Sequence, residues 1–198
     1  MKVESIVLGS IGTNCYIVTN EETKECFAVD MAECPQEYVN YIKNNGLEMK
    51  ALFLTHGHFD HIMGIDDFLK AFPVPVYAGE DELPVIEDDR LNVSSMYGPK
   101  YAFHGAQPVR DGQVIECAGI EVDVLQTPGH TVGGCCYYLP KEHRLFSGDT
   151  LFCASIGRTD LPTGSSSQLV RSVQEKIMTL PDDTKIYPGH MEETSVQF

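Results

Sequence analysis

Seven side chains able to hold a metal ion fall in four short segments of the chain. Four of them crowd residues 56–61: His56, His58, Asp60 and His61, in the run Thr55-His56-Gly57-His58-Phe59-Asp60-His61. Imidazole nitrogens with a carboxylate oxygen suit zinc, and also iron or manganese at a mixed site. Of seven histidines in the chain, three lie in this one short turn, an improbable placement for independent surface groups. His130 follows in Thr127-Pro128-Gly129-His130-Thr131, Asp149 in Phe146-Ser147-Gly148-Asp149-Thr150, and His190 in Tyr187-Pro188-Gly189-His190. His104 and His143 lack such a setting and are read as surface residues. No Ser-His-Asp order or nucleophile elbow is present. Hydrolysis would then need water activated by a metal as its nucleophile.

Each candidate ligand sits at or just past the end of a predicted strand, where side chains can converge in a cleft. Residues 51–55 are apolar without alternation, which reads as a strand covered on both faces; the histidine cluster begins where it ends. Upstream, 3–8 and 16–19 are predicted strands joined by the turn-rich 9–14, and 26–30 is a third. A helix is expected over 35–45, with Tyr38, Val39, Tyr41 and Ile42 at helical spacing and Gly46 as its stop. Ile65, Phe68, Leu69 and Phe72 mark a second helix that halts at Pro73, and 74–77 is the next strand. Residues 79–108 are the least regular part, readable as a lid or substrate wall, with 92–97 as its facing segment, or as a surface insertion. Further on, 120–126, 135–139 and 144–146 are strands. Ser165–Ser167 can cap a helix burying Leu169, Val173, Ile177 and Leu180 and ending at Pro181; 185–187 is the last strand. Two sheets with helices outside them are the economical packing for this order.

At 198 residues the chain is expected to form one domain spanning 1–198. The formal charge of −15, with only 14 basic residues, argues against a nucleic-acid partner, because phosphate binding needs clustered Lys and Arg. No stretch reaches the roughly 18 apolar residues of a membrane span. Residues 1–8 carry charge where a signal peptide needs an apolar run, so no membrane association and a cytoplasmic location are expected. Seven cysteines without CxxC spacing read as reduced, mostly buried thiols.

The HxHxDH turn, the TPGHT, the SGDT and the terminal PGH resemble, in order and approximate spacing, the metallo-β-lactamase superfamily, over nearly the whole chain. The resemblance implies an α/β fold, a four-layer αβ/βα sandwich with two divalent metals, zinc first and iron or manganese as alternatives, at one edge. It implies His56, His58 and His130 around the first metal, Asp60, His61 and His190 around the second, and Asp149 bridging them. Within the superfamily the chain is similar to short bacterial glyoxalase II. Gly12-Thr13-Asn14-Cys15-Tyr16, Gly148-Asp149-Thr150-Leu151-Phe152 and Ile156-Gly157-Arg158-Thr159-Asp160 carry that similarity. It implies hydrolysis of a small-molecule thioester such as S-lactoylglutathione by a metal-bridging hydroxide, with Asp60 and Asp149 catalytic and Arg158 binding the glutathione moiety. Other acyl-thiols, a lactone, a β-lactam, or an iron-dependent persulfide dioxygenase chemistry are the alternatives. Thr55, Thr131 and Ser147 are candidates to hydrogen-bond the ligands, and Thr159 and Asp160 to shape the loop beside Arg158. Three departures bear on glutathione. The chain stops eight residues past His190, before the helical domain that longer enzymes use to contact substrate; Glu192 stands where they place a tyrosine; and Met31-Ala32 follow Asp30 where a glycine is usual.

Overall fold

Residues 1–197 are described in a computed structural model of the chain. Strands β1 (Lys2–Leu8) and β2 (Thr13–Thr19) form a hairpin, and β3 (Glu25–Val29) lies antiparallel beside β2. After helix α1 (Gln36–Asn44), strand β4 (Glu48–Phe53) leads into two short helices, α2 (Phe59–Ile62) and α3 (Ile65–Ala71). Strand β5 (Val76–Gly79) is followed by a 3-10 turn (Glu80–Glu82), α4 (Leu83–Ile86), α5 (Ser94–Tyr97) and β6 (Gln107–Val109). Together these strands make one sheet ordered β1-β2-β3-β4-β5-β6, parallel from β3 onward.

The second half builds a matching sheet. Strands β7 (Val114–Cys117), β8 (Ile120–Gln126), β9 (Cys135–Leu139) and β10 (Arg144–Gly148) form an antiparallel meander. A small ribbon of β11 (Leu151–Phe152) and β12 (Ser155–Ile156) follows, then helix α6 (Ser166–Ser172), which widens into a π-type turn over Val173–Ile177. Strand β13 (Lys185–Pro188) returns parallel to β10, and β14 (Thr194–Ser195) closes the edge, giving the order β14-β13-β10-β9-β8-β7.

Side-chain alternation along the strands sorts the apolar residues into three cores. Tyr16, Val18, Phe27, Phe53, Val122, Val124 and Tyr137 meet between the two sheets. The alternate residues Cys15, Ile17, Ala28 and Leu52 face outward, where Ile42 of α1 and Phe68 of α3 cover them. On the far side, Cys136, Leu145 and Ile186 pack against Val173 and Ile177. Every residue of β2 and β9 is therefore buried, and the layers run helix, sheet, sheet, helix. This is the expected αβ/βα sandwich.

Hydrogen bonds pin the two sheets together at one edge. Tyr137 Oη donates to the Leu54 carbonyl (2.8 Å) and Tyr16 Oη to the Pro188 carbonyl (2.7 Å). Backbone N–H groups of Cys135 and Asn14 reach Thr55 and Gly189 oxygens across the gap, each at 2.8 Å. Strands β4, β8, β10 and β13 all end at this edge with their ligand-bearing turns.

Several boundaries differ from expectation. The expected irregular segment 79–108 contains the 3-10 turn, α4, α5 and the start of β6, whose three residues pair with β5 and are too few for any periodicity. Strand β2 begins at Thr13 rather than 16, because pairing with β1 extends to Leu8 opposite Thr13. Ser165 occupies the cap position of α6 but makes no capping bond; its hydroxyl lies 3.4 Å from that of Ser167. All seven cysteines are free, and five are buried. Among the described residues no helix is long and apolar enough to cross a membrane.

Because the two outer cores share no side chains, Ile42→Ala and Ile177→Ala should each cost about 2–5 kcal/mol. Their losses should add within about 0.5 kcal/mol in the double variant, read from urea unfolding. Clear non-additivity would contradict independent outer layers.

Candidate metal centre

The edge where the sheets are pinned gathers all seven candidate ligands. His56 leaves β4 just after Thr55; His58 precedes α2, and Asp60 and His61 are consecutive residues of that helix whose tips lie 3.6 Å apart (Oδ2 to Nε2). His130, Asp149 and His190 come from the turns after β8, β10 and β13. Three groups have ligand atoms mutually within 4.8 Å: His56, His58 and His130; His56, His61 and Asp149; and Asp60, His61 and His190. Asp149 lies among them. Its Oδ1 is 3.4 Å from His61 Nε2, and its Oδ2 is 3.5 Å from His130 Nε2 and 3.6 Å from His190 Nε2. His190 Nε2 also lies 3.1 Å from Asp60 Oδ2.

The outward nitrogens are fixed by their surroundings. Asp30, at the end of β3 and 1% exposed, accepts three hydrogen bonds: from the Thr55 N–H (2.8 Å), the Thr55 hydroxyl (2.7 Å) and His61 Nδ1–H (2.8 Å). The Thr55 hydroxyl spends its one proton on Asp30, so it accepts from His56 Nδ1–H at 3.2 Å. His130 Nδ1–H donates to the Arg158 carbonyl (2.7 Å) and His190 Nδ1–H to the Gly12 carbonyl (3.3 Å). Four imidazoles thus turn Nε2 toward the cluster, the usual way an outer partner orients a metal-binding histidine.

Several of the inward atoms lack protein partners. Buried Nε2 of His56 and His61, and Oδ1 of Asp149, make no hydrogen bond, a costly condition in an apolar setting. His58 Nδ1 and His130 Nε2 face each other at 2.9 Å, an approach that a shared proton or a shared cation satisfies. Any side chain at residue 189 would run into Asp149 Oδ1 and the His61 ring, so Gly189 keeps that ground open. The donor set of imidazoles and carboxylates fits divalent zinc, iron or manganese.

Electrostatics divide the cluster. Burial and neighbouring imidazoles hold His56 far below the ordinary histidine value and His58 down at about 3. Burial lowers His130 as well. These three imidazoles are thereby kept neutral. Burial also disfavours charge on His61, but the carboxylates of Asp60, Asp30 and Asp149 outweigh it and raise its pKa well above normal. His190 is raised in the same way, through its hydrogen bond to Asp60 and the charge of Asp149. Burial opposes ionisation of Asp60 and Asp149, yet the facing histidines prevail and both carboxyls are held below the usual range.

A cleft of about 490 Å³ opens over this cluster. Ile11, Val93, Tyr97, Phe152, Leu161 and Met191 supply apolar walls. The segment 92–97 is indeed a wall: Asn92 accepts the Phe59 N–H (2.9 Å), and the Tyr97 ring stacks on Phe59 at 5.4 Å. Val93 takes φ +59° there, a strained conformation for a β-branched residue. Arg158 lines the cleft too, with its guanidinium in a two-point ion pair with Asp160 (2.7 and 2.8 Å).

Of the three residues expected to support the ligands, only Thr55 does so. The Ser147 hydroxyl donates to the Leu151 carbonyl instead, and the buried Thr131 hydroxyl reaches no ligand. His104 and His143 lie outside the cluster beside the surface acids Glu87 and Asp183. Sequence reading passed over the role of Asp30, although a lone carboxylate closing the apolar run 26–29 is itself a signal. It also passed over Glu82, submerged in an acidic stretch that gives no hint of burial.

The metallo-beta-lactamase superfamily matches this chain over residues 8–190. The probable metallo-hydrolase YqgX of Bacillus subtilis (strain 168) is 34% identical over 198 residues, covering 99% of this chain and 93% of that protein. The crystal structure of the BLEG-1 B3 metallo-beta-lactamase superposes with a TM-score of 0.93 at 36% identity, over 99% of this chain and 95% of the other. That of TTHA1623 in a di-iron-bound form gives 0.85 at 31% identity, over 98% and 95%. With the expected sandwich, the histidine and aspartate cluster at its pinned edge, and relatives aligned end to end, this chain belongs to the metallo-β-lactamase superfamily.

Proposed function

We propose that the chain is a dinuclear metal-dependent hydrolase of the glyoxalase II type, acting on a small acyl-thiol ester such as S-lactoylglutathione. The observation that carries the dinuclear reading is the position of Asp149, whose two oxygens lie near His130 of one ligand group and His61 and His190 of the other. In this reading His56, His58 and His130 would hold one cation, Asp60, His61 and His190 the second, and Asp149 would be shared between them. Zinc is the first choice for the donor set; the di-iron form of TTHA1623 favours iron as the alternative. Bound there, divalent cations would supply hydroxide at neutral pH and polarise the scissile carbonyl.

The protein's own groups do the rest. Asp60 and Asp149 stay ionised, and Thr13 (Oγ1 to Asp60 Oδ2, 3.3 Å) with His190 orients Asp60. Among the described residues lining the cleft there is no Ser, Cys or Lys to serve as nucleophile, which supports attack by water. The apolar walls exclude bulk water and suit the hydrocarbon part of an acyl-thiol. Arg158 is the group available to a substrate carboxylate, although Asp160 already shares its charge.

Two variants test this reading. Asp149→Ala should drop the metal content below two equivalents by elemental analysis and abolish thioester hydrolysis; full activity with two ions retained would remove the bridging role. Arg158→Ala keeps the carbonyl that holds His130. It should therefore raise KM for S-lactoylglutathione by about tenfold, the low end for a charged hydrogen bond, with kcat little changed. An unchanged KM would show that the glutathione carboxylates do not use this arginine.

A further inference from the structure

Like Asp30, Glu82 is an acidic side chain that the fold buries without giving it a place among the candidate ligands. It ends the 3-10 turn after β5 and is 0% exposed. Its Oε1 accepts the Gly57 N–H at 2.7 Å and its Oε2 the Gly133 N–H at 2.8 Å. Gly57 separates His56 from His58, and Gly133 lies three residues past His130. One carboxylate therefore ties together the two loops that supply the three-histidine group, from a segment belonging to neither.

The packing around it leaves no slack. A side chain at Gly57 would strike Ile86 and Val85 of α4, and one at Gly133 would collide with the backbone of Asp81 and Glu82. Both loops are glycine where the 80–86 segment presses against them, so their backbones sit at hydrogen-bonding range of one buried carboxyl group. Burial pushes the Glu82 carboxyl up to about 7 against the pull of its hydrogen-bond donors, the Gly57 N–H first. Burying the acid carries a desolvation penalty, and its two bonds to otherwise unpaired backbone N–H groups offset part of it.

We propose that Glu82 is a positioning residue for the metal centre: its carboxylate sets the separation of the His56–His58 and His130 loops, and so the readiness of His56, His58 and His130 to share a cation. It acts on ligand geometry through the two glycine N–H groups and touches neither cation nor substrate. The inference rests on the metal reading above and extends it to a residue in the otherwise irregular 79–108 segment. It also gives that segment two tasks: walling the cleft through residues 92–97 and bracing the ligand loops through Glu82.

The test is a cobalt(II) titration with chelator competition, followed by the visible absorption of the bound ion, on the parent chain, Glu82→Gln, Glu82→Asp and the remote core variant Ile177→Val. Gln keeps the shape but offers a single acceptor, and Asp keeps the charge but lacks the reach for both loops; Asp carries the test if Gln does not fold. All are compared well below their unfolding temperatures. At least one cobalt equivalent should be weakened by about tenfold or more in both Glu82 variants, the range for losing an outer partner of a metal ligand, while Ile177→Val binds like the parent. Glu82 variants that bind as tightly as the parent, or no more weakly than Ile177→Val, overturn the inference alone. A parent chain that takes up no cobalt overturns the metal reading, and this inference with it.

Discussion

Five imidazoles and two carboxylates converging on a single volume are the constraint around which this fold is organised. Imidazole rings pack with centroids as close as 4.1 Å for His56 and His61 and 4.6 Å for His58 and His130. Rings that close cannot all be protonated, and lone pairs that face one another repel. The chain compensates with carboxylates: Asp30 behind, Asp60 and Asp149 within. What remains are buried nitrogens and an oxygen with no protein partner, and divalent cations answer all of them at once. A cluster so costly without a cation is characteristic of a site built to be loaded.

The sandwich serves this cluster by bringing four strand ends to one edge and fixing their separation. Tyrosines 16 and 137 and the backbone bonds at Thr55 and Gly189 lock one sheet to the other close to the ligands. A second set of anchors works one step further out. Asp30 sets His61 directly and His56 through Thr55, while backbone carbonyls of Arg158 and Gly12 set His130 and His190. The rigidity of the site thus comes from hydrogen bonds whose acceptors lie in separate parts of the chain, and its openness comes from small residues such as Gly189.

Much of this was legible in the sequence, and the part that was not has a common physical origin. The ligand turns stand out because each couples a chemistry-bearing residue to a strand end, and both signals are local. The uninterrupted apolar residues 51–54 announce a strand covered on both faces, which Leu52 and Phe53 bear out by facing different cores. Glu82 looks like any other residue of an acidic stretch because its burial is decided by Gly57 and Gly133, 25 and 51 residues away. Strand β6 is three residues long and exists only through its pairing with β5. Ser165, Ser147 and Thr131 show the reverse error: each has the right chemistry for a local role, and tertiary contacts engage it elsewhere or leave it idle.

Anomalous X-ray scattering from crystals of the protein as purified, collected on both sides of the zinc and iron absorption edges, tests the central claim most directly. Two peaks about 3.5–4 Å apart are expected. One should lie in bonding contact with His56, His58 and His130, the other with Asp60, His61 and His190, with Asp149 touching both. A single peak with Asp149 turned away, or no peak among these residues, would contradict it.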